Sequence, residues 1–271
     1  MTAAAGKNPI EYISHHLGHW QVGSGLMAVN LDTLLFSVLT GAILLLLGWW
    51  VGRRVSRGRP GRLQNVLEMT VEFVNNQVRE AFPVDDPLIG PMALTVFLWV
   101  MAMNAVDLIP VDFFPSLAGW VGAGLGKNPE HVHLHALATA DLSVPLGMAL
   151  SVFGLTISYN LRHRGPLGYL KRFLTHPFGK WMAPFNFFLG LVEEISRPLS
   201  LALRLWGNMF AGDLIFMLIA LFGFAFWVAP GQVLLGTAWT FFETLEVVLQ
   251  AFIFMLLSIV YLALAAQEEE H

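Results

Sequence analysis

The chain has 271 residues, 56% of them hydrophobic and 13% charged, and a mean hydropathy of +0.62. Soluble domains run at about 45–50% apolar and about 25% charged, so this composition excludes a disordered chain and argues against a soluble enzyme. Cysteine is absent and the net charge is −4, which removes disulfides, thiol nucleophiles and Cys-type zinc sites and gives no case for nucleic-acid binding.

A membrane span needs about 20 mostly apolar residues to cross about 30 Å of hydrocarbon. Residues 1–32 form an N-terminal segment with Lys7 as its one basic residue. Residues 33–51 are uncharged and end at Trp49 and Trp50, which suit a membrane–water interface. The stretch starts too late, and without a basic leader, for a removable signal peptide. Residues 61–82 read as an amphipathic helix, with Leu63, Val66, Leu67, Val74, Val78 and Ala81 on one face and Glu68, Glu72, Asn76 and Arg79 on or near the other. It suits either a membrane surface or packing on its own protein. Residues 88–109 form the second span, interrupted by Asn104 and Asp107, and 142–161 the third. Two long polar-studded helices complete the chain. Residues 184–227 carry Glu193, Glu194, Arg197, Arg204, Asn208 and Asp213, and 232–265 carry Glu243, Glu246 and Gln250.

The expected fold is therefore an all-α polytopic membrane protein, a single membrane domain over 1–271. About five helices cross, including a long, strongly tilted antiparallel hairpin, and an amphipathic helix lies on the cytoplasmic side. Basic residues follow the first span (Arg53, Arg54, Arg57, Arg59, Arg62) and the third (Arg162, Arg164, Lys171, Arg172, Lys180). The positive-inside rule places 52–87 and 162–183 in the cytoplasm, with the N-terminus outside and the C-terminus inside.

Forty-four residues from Pro184 to Trp227 would make a helix of about 66 Å at 1.5 Å per residue. Either it breaks at Pro198 or Gly207 and crosses twice, which would put the C-terminus outside and leave Arg197 or Arg204 near a buried turn, or it crosses once at a steep tilt; the tilt is preferred, and Arg204 then falls near mid-membrane. At 100° per residue, Glu193, Arg197, Ser200, Arg204 and Asn208 share a stripe, and Asp213 points away from it. Glu243, Glu246, Gln250 and Tyr261 share a face of the last helix. Antiparallel pairing about a turn at Ala229 and Pro230 sets Asp213 level with Glu243 and Asn208 level with Gln250. Asn104 and Asp107 are placed to line the mouth of this polar seam. An isolated Asn or Gln in a bundle is ordinarily an interhelical hydrogen bond. Arg204 differs, since it has no acid at i±3 or i±4 and an intramembrane charge costs about 2.5–3.5 kcal/mol on insertion scales. Such a cation points to an anion on another chain.

Pro198-Leu-Ser-Leu-Ala-Leu-Arg204-Leu-Trp-Gly-Asn208-Met-Phe-Ala-Gly-Asp213 resembles the signature helix of subunit a of F-type ATP synthases. Gln250-Ala-Phe-Ile-Phe-Met-Leu-Leu-Ser-Ile-Val-Tyr-Leu is similar to that family's last helix, Asn104-Ala-Val-Asp107-Leu-Ile-Pro110 to its second span, and His15-His16 to its N-terminus. The resemblance, closest to bacterial proton-driven members, implies a non-catalytic stator in the cell inner membrane. It would conduct protons through two offset half-channels to and from a ring of c subunits, beside peripheral-stalk b subunits and the other synthase subunits. Arg204 matches the arginine that faces the ring carboxylates. Asn208, Asp213 and Gln250 match positions lining the outer half-channel, and Glu243 occupies a further one. The family often has Glu where Asp213 stands, and some members have His where Glu243 stands. Glu193 and Glu194 fall near the cytoplasmic half-channel. No cofactor is implied, and ATP chemistry falls to other subunits, because the chain has no phosphate-binding Gly-x-x-x-x-Gly-Lys-Ser/Thr loop.

The competing readings are a proton-coupled secondary transporter, a sodium-driven version of the same subunit, an intramembrane enzyme and a purely structural subunit. No inverted repeat supports the transporter, and no His-Glu-x-x-His or Gly-x-Ser-Gly run supports the enzyme. His131, His133 and His135 alternate in a way that could bind a metal, but a solvated loop is the simpler reading, and no metal site is expected.

Overall fold

The computed structural model describes residues 21–22, 29–56, 58, 60–82, 86–109, 113, 138–175, 177–222 and 229–266. A two-residue antiparallel pair, β1 (Gln21–Val22) and β2 (Val29–Asn30), precedes the helices. These are α1 (Leu31–Arg53), α2 (Arg62–Ala81), α3 (Ile89–Ala105), α4 (Ser143–Thr175), α5 (Ala183–Phe222) and α6 (Ala229–Ala266). Among the described residues, α1, α4, α5 and α6 are long and apolar enough to cross a membrane, and α3 is a shorter apolar helix. The expected all-α membrane architecture holds. The triad His131, His133 and His135, the pair His15 and His16, and the last residues of the predicted 184–227 segment lie outside the described residues.

The long polar segment is one helix. Pro198 lies inside α5 without ending it, and Gly207 sits within the same continuous helix. Forty residues at 1.5 Å each give about 60 Å, about twice the hydrocarbon thickness. The sequence reading put a turn at Ala229 and Pro230, but both belong to the next helix. Ala229 and Pro230 open α6, where proline suits the first turn because its missing N–H would have no helical partner there.

The chain divides into two compact units. The first contains 1–46, 99–144 and 206–250. Within it, α1 and α3 approach closely, and a Cβ on Gly41 would sit 3.6 Å from the Trp99 ring. Asp141 caps α4, accepting from the Ser143 backbone N–H at 3.0 Å, and also accepts from the Asn30 amide at 2.5 Å. Burial pushes the Asp141 carboxyl up. The hydrogen bonds from Ser143 and Asn30 outweigh it and hold the group below its ordinary value of 3.8.

The second unit contains 47–98, 145–205 and 251–271. Its α2 corrects the sequence reading in detail. Only Gln64 and Val74 of this helix are buried, whereas Leu63 and Val66 are 49% and 61% exposed. Gln64 is enclosed because its side chain holds the preceding loop, accepting from Ser56 N and donating to Ser56 O, each at 3.3 Å, and donating to Glu68 at 2.7 Å. Phe73 meets Phe97 of α3 and Phe252 of α6 at 6.0 and 5.9 Å between ring centres. Asp86 accepts from Leu88 N at 2.9 Å and Tyr159 OH at 2.7 Å, and these bonds hold its carboxyl below the ordinary value.

Helix α4 continues well past the predicted end at 161 but is broken at Gly165 (φ 71°, ψ 165°), a region open essentially to glycine alone. Pro166 follows and starts the next turns. The segment beyond the break lies against α5 so closely that a Cβ on Gly190 would meet the Phe173 ring at 2.7 Å. Asn186, fully buried, fastens the same junction. Its amide donates to Leu174 O at 3.2 Å and Gly179 O at 2.8 Å, and its carbonyl accepts from Phe178 N at 3.2 Å.

Two predictions follow from these ties. Replacing Asn186 with Leu strands buried backbone groups, each costing about 1–3 kcal/mol. Asn186→Leu should therefore lower the thermal midpoint of the detergent-solubilised protein clearly, whereas Thr237→Ala, at an exposed site bonded only to its own helix, should barely move it. Asp141 has a lowered folded-state value, so its stabilisation is full above about 3.8 and is lost as pH falls through the folded value below that. Thermal midpoints of the native chain and Asp141→Ala should differ by a constant amount from neutrality down to about pH 4 and converge only in stronger acid.

Candidate functional site

In the first unit, the C-terminal half of α5 lies antiparallel to the N-terminal half of α6. The Asn208 amide donates to the Gln250 carbonyl at 3.3 Å, and a Cβ on Gly236 would touch Ile219 at 3.9 Å. These two contacts fix the register, and between them Asp213 falls level with Glu243. Both carboxyls are buried, each residue only 2% exposed, and Gln250 is 3% exposed. Glu246, one turn along α6, is half-buried. The paired helices thus withdraw two acids and two carboxamides from their apolar outer surfaces, where Phe241, Leu234 and Leu245 are exposed.

Asn104 belongs to the same unit and is fully buried. Neither amide atom of Asn104 finds a hydrogen-bond partner among the described residues. Asp107 lies in the short 3-10 turn Val106–Leu108 that follows α3; its side chain is outside the described residues.

The second unit holds a different polar set. Arg197 pairs with Glu193 one turn earlier on α5 and lies 3.9 Å from Glu194. Glu194 also accepts from Tyr169 OH at 2.9 Å, and the Arg197 guanidinium sits over the Tyr261 ring of α6 at 5.7 Å. This last contact repeats, inside the second unit, the antiparallel register found in the first. Glu193, Glu194, Arg197 and Tyr169 border an open cavity of about 420 Å³ that Phe173 and Leu189 also line. The sequence reading named the two glutamates but not Tyr169, which reaches Glu194 only because the chain turns back beyond Gly165.

Arg204 lies on α5 in this unit, half-buried. Among the described residues it forms no ion pair. The polar groups of α3, α4, α5 and α6 named above therefore sort into buried carboxyls and carboxamides in one unit, a carboxyl–tyrosine–arginine cluster beside a cavity in the other, and Arg204 without a carboxylate among the described residues. No group of three or more metal-ligating side chains occurs among the described residues.

Polar groups enclosed by membrane-crossing helices define the class, an ion-handling membrane protein. The ATP synthase A chain family model matches residues 34–263. A relative in Idiomarina loihiensis, named ATP synthase subunit a, is 45% identical over 97% of this chain and 98% of its own length. Relatives of the same name in Alkalilimnicola ehrlichii and Haemophilus influenzae are each 43% identical over 98% of this chain and 100% of their own. The chain belongs to the ATP synthase A chain family.

Water access gives a test of the buried set. Single cysteines at Asn208, Asp213 and Gln250, in a chain that has none, should react with silver ions. Bulky maleimides should react poorly, because the native side chains at 213 and 250 are almost wholly enclosed. Cysteines at exposed apolar positions such as Leu234 and Phe241 should resist silver in membranes. Protection of all three positions would mark a dry structural interface.

Proposed function

We infer that this chain is the stator subunit of the membrane sector of an F-type ATP synthase, conducting protons to and from a ring of c subunits. The observation that carries this reading is Arg204, a cation midway along a membrane helix with no carboxylate partner among the described residues. Family membership adds the setting, since relatives across nearly the whole length are named for this subunit. The partners we assign are the c-ring carboxylates for Arg204, peripheral-stalk b subunits for the outer helix surfaces, and the remaining synthase subunits. The membrane is the bacterial inner membrane, with the N-terminus outside and the C-terminus cytoplasmic, following the arginine-rich segments after α1 and within α4.

Each unit supplies one half-channel in this proposal. Asn208, Asp213, Glu243 and Gln250 form the outer access, with Asn104 and Asp107 towards its mouth, and water in this passage would satisfy the enclosed Asn104 amide. Glu193 and Glu194, beside their cavity, form the inner one. Asp213 and Glu243, level and buried, would relay protons inward through water in the outer passage. Arg204 would attract each ring carboxylate as it loses its proton. Guanidinium does not itself deprotonate in proteins, so it would bar direct proton passage between the two accesses. Ammonium, which loses its proton more readily when desolvated, would be a poorer barrier.

Arg204→Ala should abolish ATP synthesis driven by a proton gradient in assembled complexes, while subunit content stays near normal. Synthesis at the native rate would overturn the role of Arg204. For the carboxyl pair, Asp213→Asn should reduce passive proton conductance of the membrane sector more than Asp213→Glu. Glu243→His should be tolerated better than Glu243→Leu, because imidazole also exchanges protons near neutrality. Full conductance in both Asp213→Asn and Glu243→Leu would remove the pair from the pathway.

A further inference from the structure

The C-terminal end of α1 carries an arrangement that proton conduction does not use. Arg53 stacks over the Trp49 ring at 4.3 Å, and Arg54 over Trp50 at 4.5 Å. All four side chains are exposed. Their neighbour Val51 is buried, which turns the two stacks outward. Beyond them the chain is densely basic, with five arginines between Arg53 and Arg62 and no acidic residue from Thr33 to Leu67. Helix-dipole compensation alone accounts for one basic residue in the last turn. It does not account for two guanidiniums each laid on an indole.

We propose that the end of α1 and the first turn of α2 form a binding site for the phosphate headgroup of an anionic phospholipid. The proposal uses the membrane placement of α1 and is independent of the proton-transport reading. Stacking on indole occupies the face of a guanidinium and leaves its in-plane N–H donors free, the edge that grips a phosphate oxygen pair bidentately. Tryptophan prefers the headgroup level of a bilayer, so the stacks hold both donor forks at that depth. Gln64 fastens the loop after Arg54 to α2 through both backbone groups of Ser56, which brings the first turn of α2, with Arg62, to the end of α1. Leu63, Val66, Met69 and Phe73 then form an exposed apolar stripe on α2, suited to the acyl chains below a bound headgroup. Glu68, the first acid along this segment, is engaged by Gln64 at 2.7 Å. A basic cluster directly beyond a membrane helix is the common form of anionic-lipid recognition; the two stacks make it a built site here.

The test uses the complete synthase in phosphatidylcholine vesicles, with a fluorophore on Gly58→Cys and the other subunits free of reactive cysteine. A Cβ at Gly58 meets nothing within 4 Å, so the label is accommodated. Nitroxide-labelled phosphatidylglycerol should quench this fluorophore more strongly than nitroxide-labelled phosphatidylcholine. The double change Arg53→Lys with Arg54→Lys keeps every charge, and with it the membrane orientation, but loses the planar fork. It should cut the preference by about fivefold, because an ammonium offers a point charge in place of a bidentate fork. Trp49→Leu with Trp50→Leu should act in the same direction, whereas Arg162→Lys should have no effect. Equal quenching by both lipids in the native complex would overturn the proposal. So would a preference unchanged in the lysine and leucine variants, which would leave only diffuse charge attraction. Absence of quenching by either lipid would show that another subunit covers this surface, and would overturn it as well.

Discussion

The cost of a charge in hydrocarbon governs this molecule. Each ionisable side chain on a membrane helix must face protein or water, or its insertion costs several kcal/mol. Helices α5 and α6 meet that demand by pairing antiparallel, so that Asp213, Glu243 and Gln250 turn inward while phenylalanine and leucine face outward. The Asn208–Gln250 hydrogen bond is one pin of the register. A shift of one residue along either helix would rotate every polar group by about 100° towards lipid. Register and polarity are thus one constraint.

The second unit answers the same demand by local neutralisation. Arg197 has Glu193 one turn before it and Glu194 beside it, Tyr169 donates to Glu194, and Tyr261 offers its ring face to the guanidinium. Among the described residues Arg204, seven positions along the same helix, has none of these. Two arginines on one helix thus stand in different electrostatic settings, one paired with carboxylates and one without a carboxylate among the described residues. That contrast singles out Arg204 more firmly than its position alone.

Much of this was legible in the sequence, because hydrophobic runs and helical periodicity are local signals. The spans, the single long α5 and the pairing of Asn208 with Gln250 came from counting residues about one turn. The features that escaped depend on tertiary contact. Gly165-Pro166 is a local sign of a break, but nothing local says that the break turns the basic end of α4 back on α5 and delivers Tyr169 to Glu194. Asn186 reads as one polar residue in an apolar run, and its three bonds, one to the end of α4 and two to the loop after it, depend on that return. In α2 the periodicity chose a face correctly in kind but not in detail. Gln64 is buried by its grip on Ser56, a side chain-to-backbone contact that no hydrophobic pattern encodes.

The central claim is that a permanent cation at position 204 separates two proton accesses that serve the ring in turn. The most direct measurement is passive proton flux through membrane sectors whose rotor has been cross-linked to the stator. The native sector should be proton-tight when the ring cannot turn, and Arg204→Ala should leak under the same block. A locked Arg204→Ala sector as tight as the native one would contradict the claim, because the barrier between the accesses would then lie elsewhere.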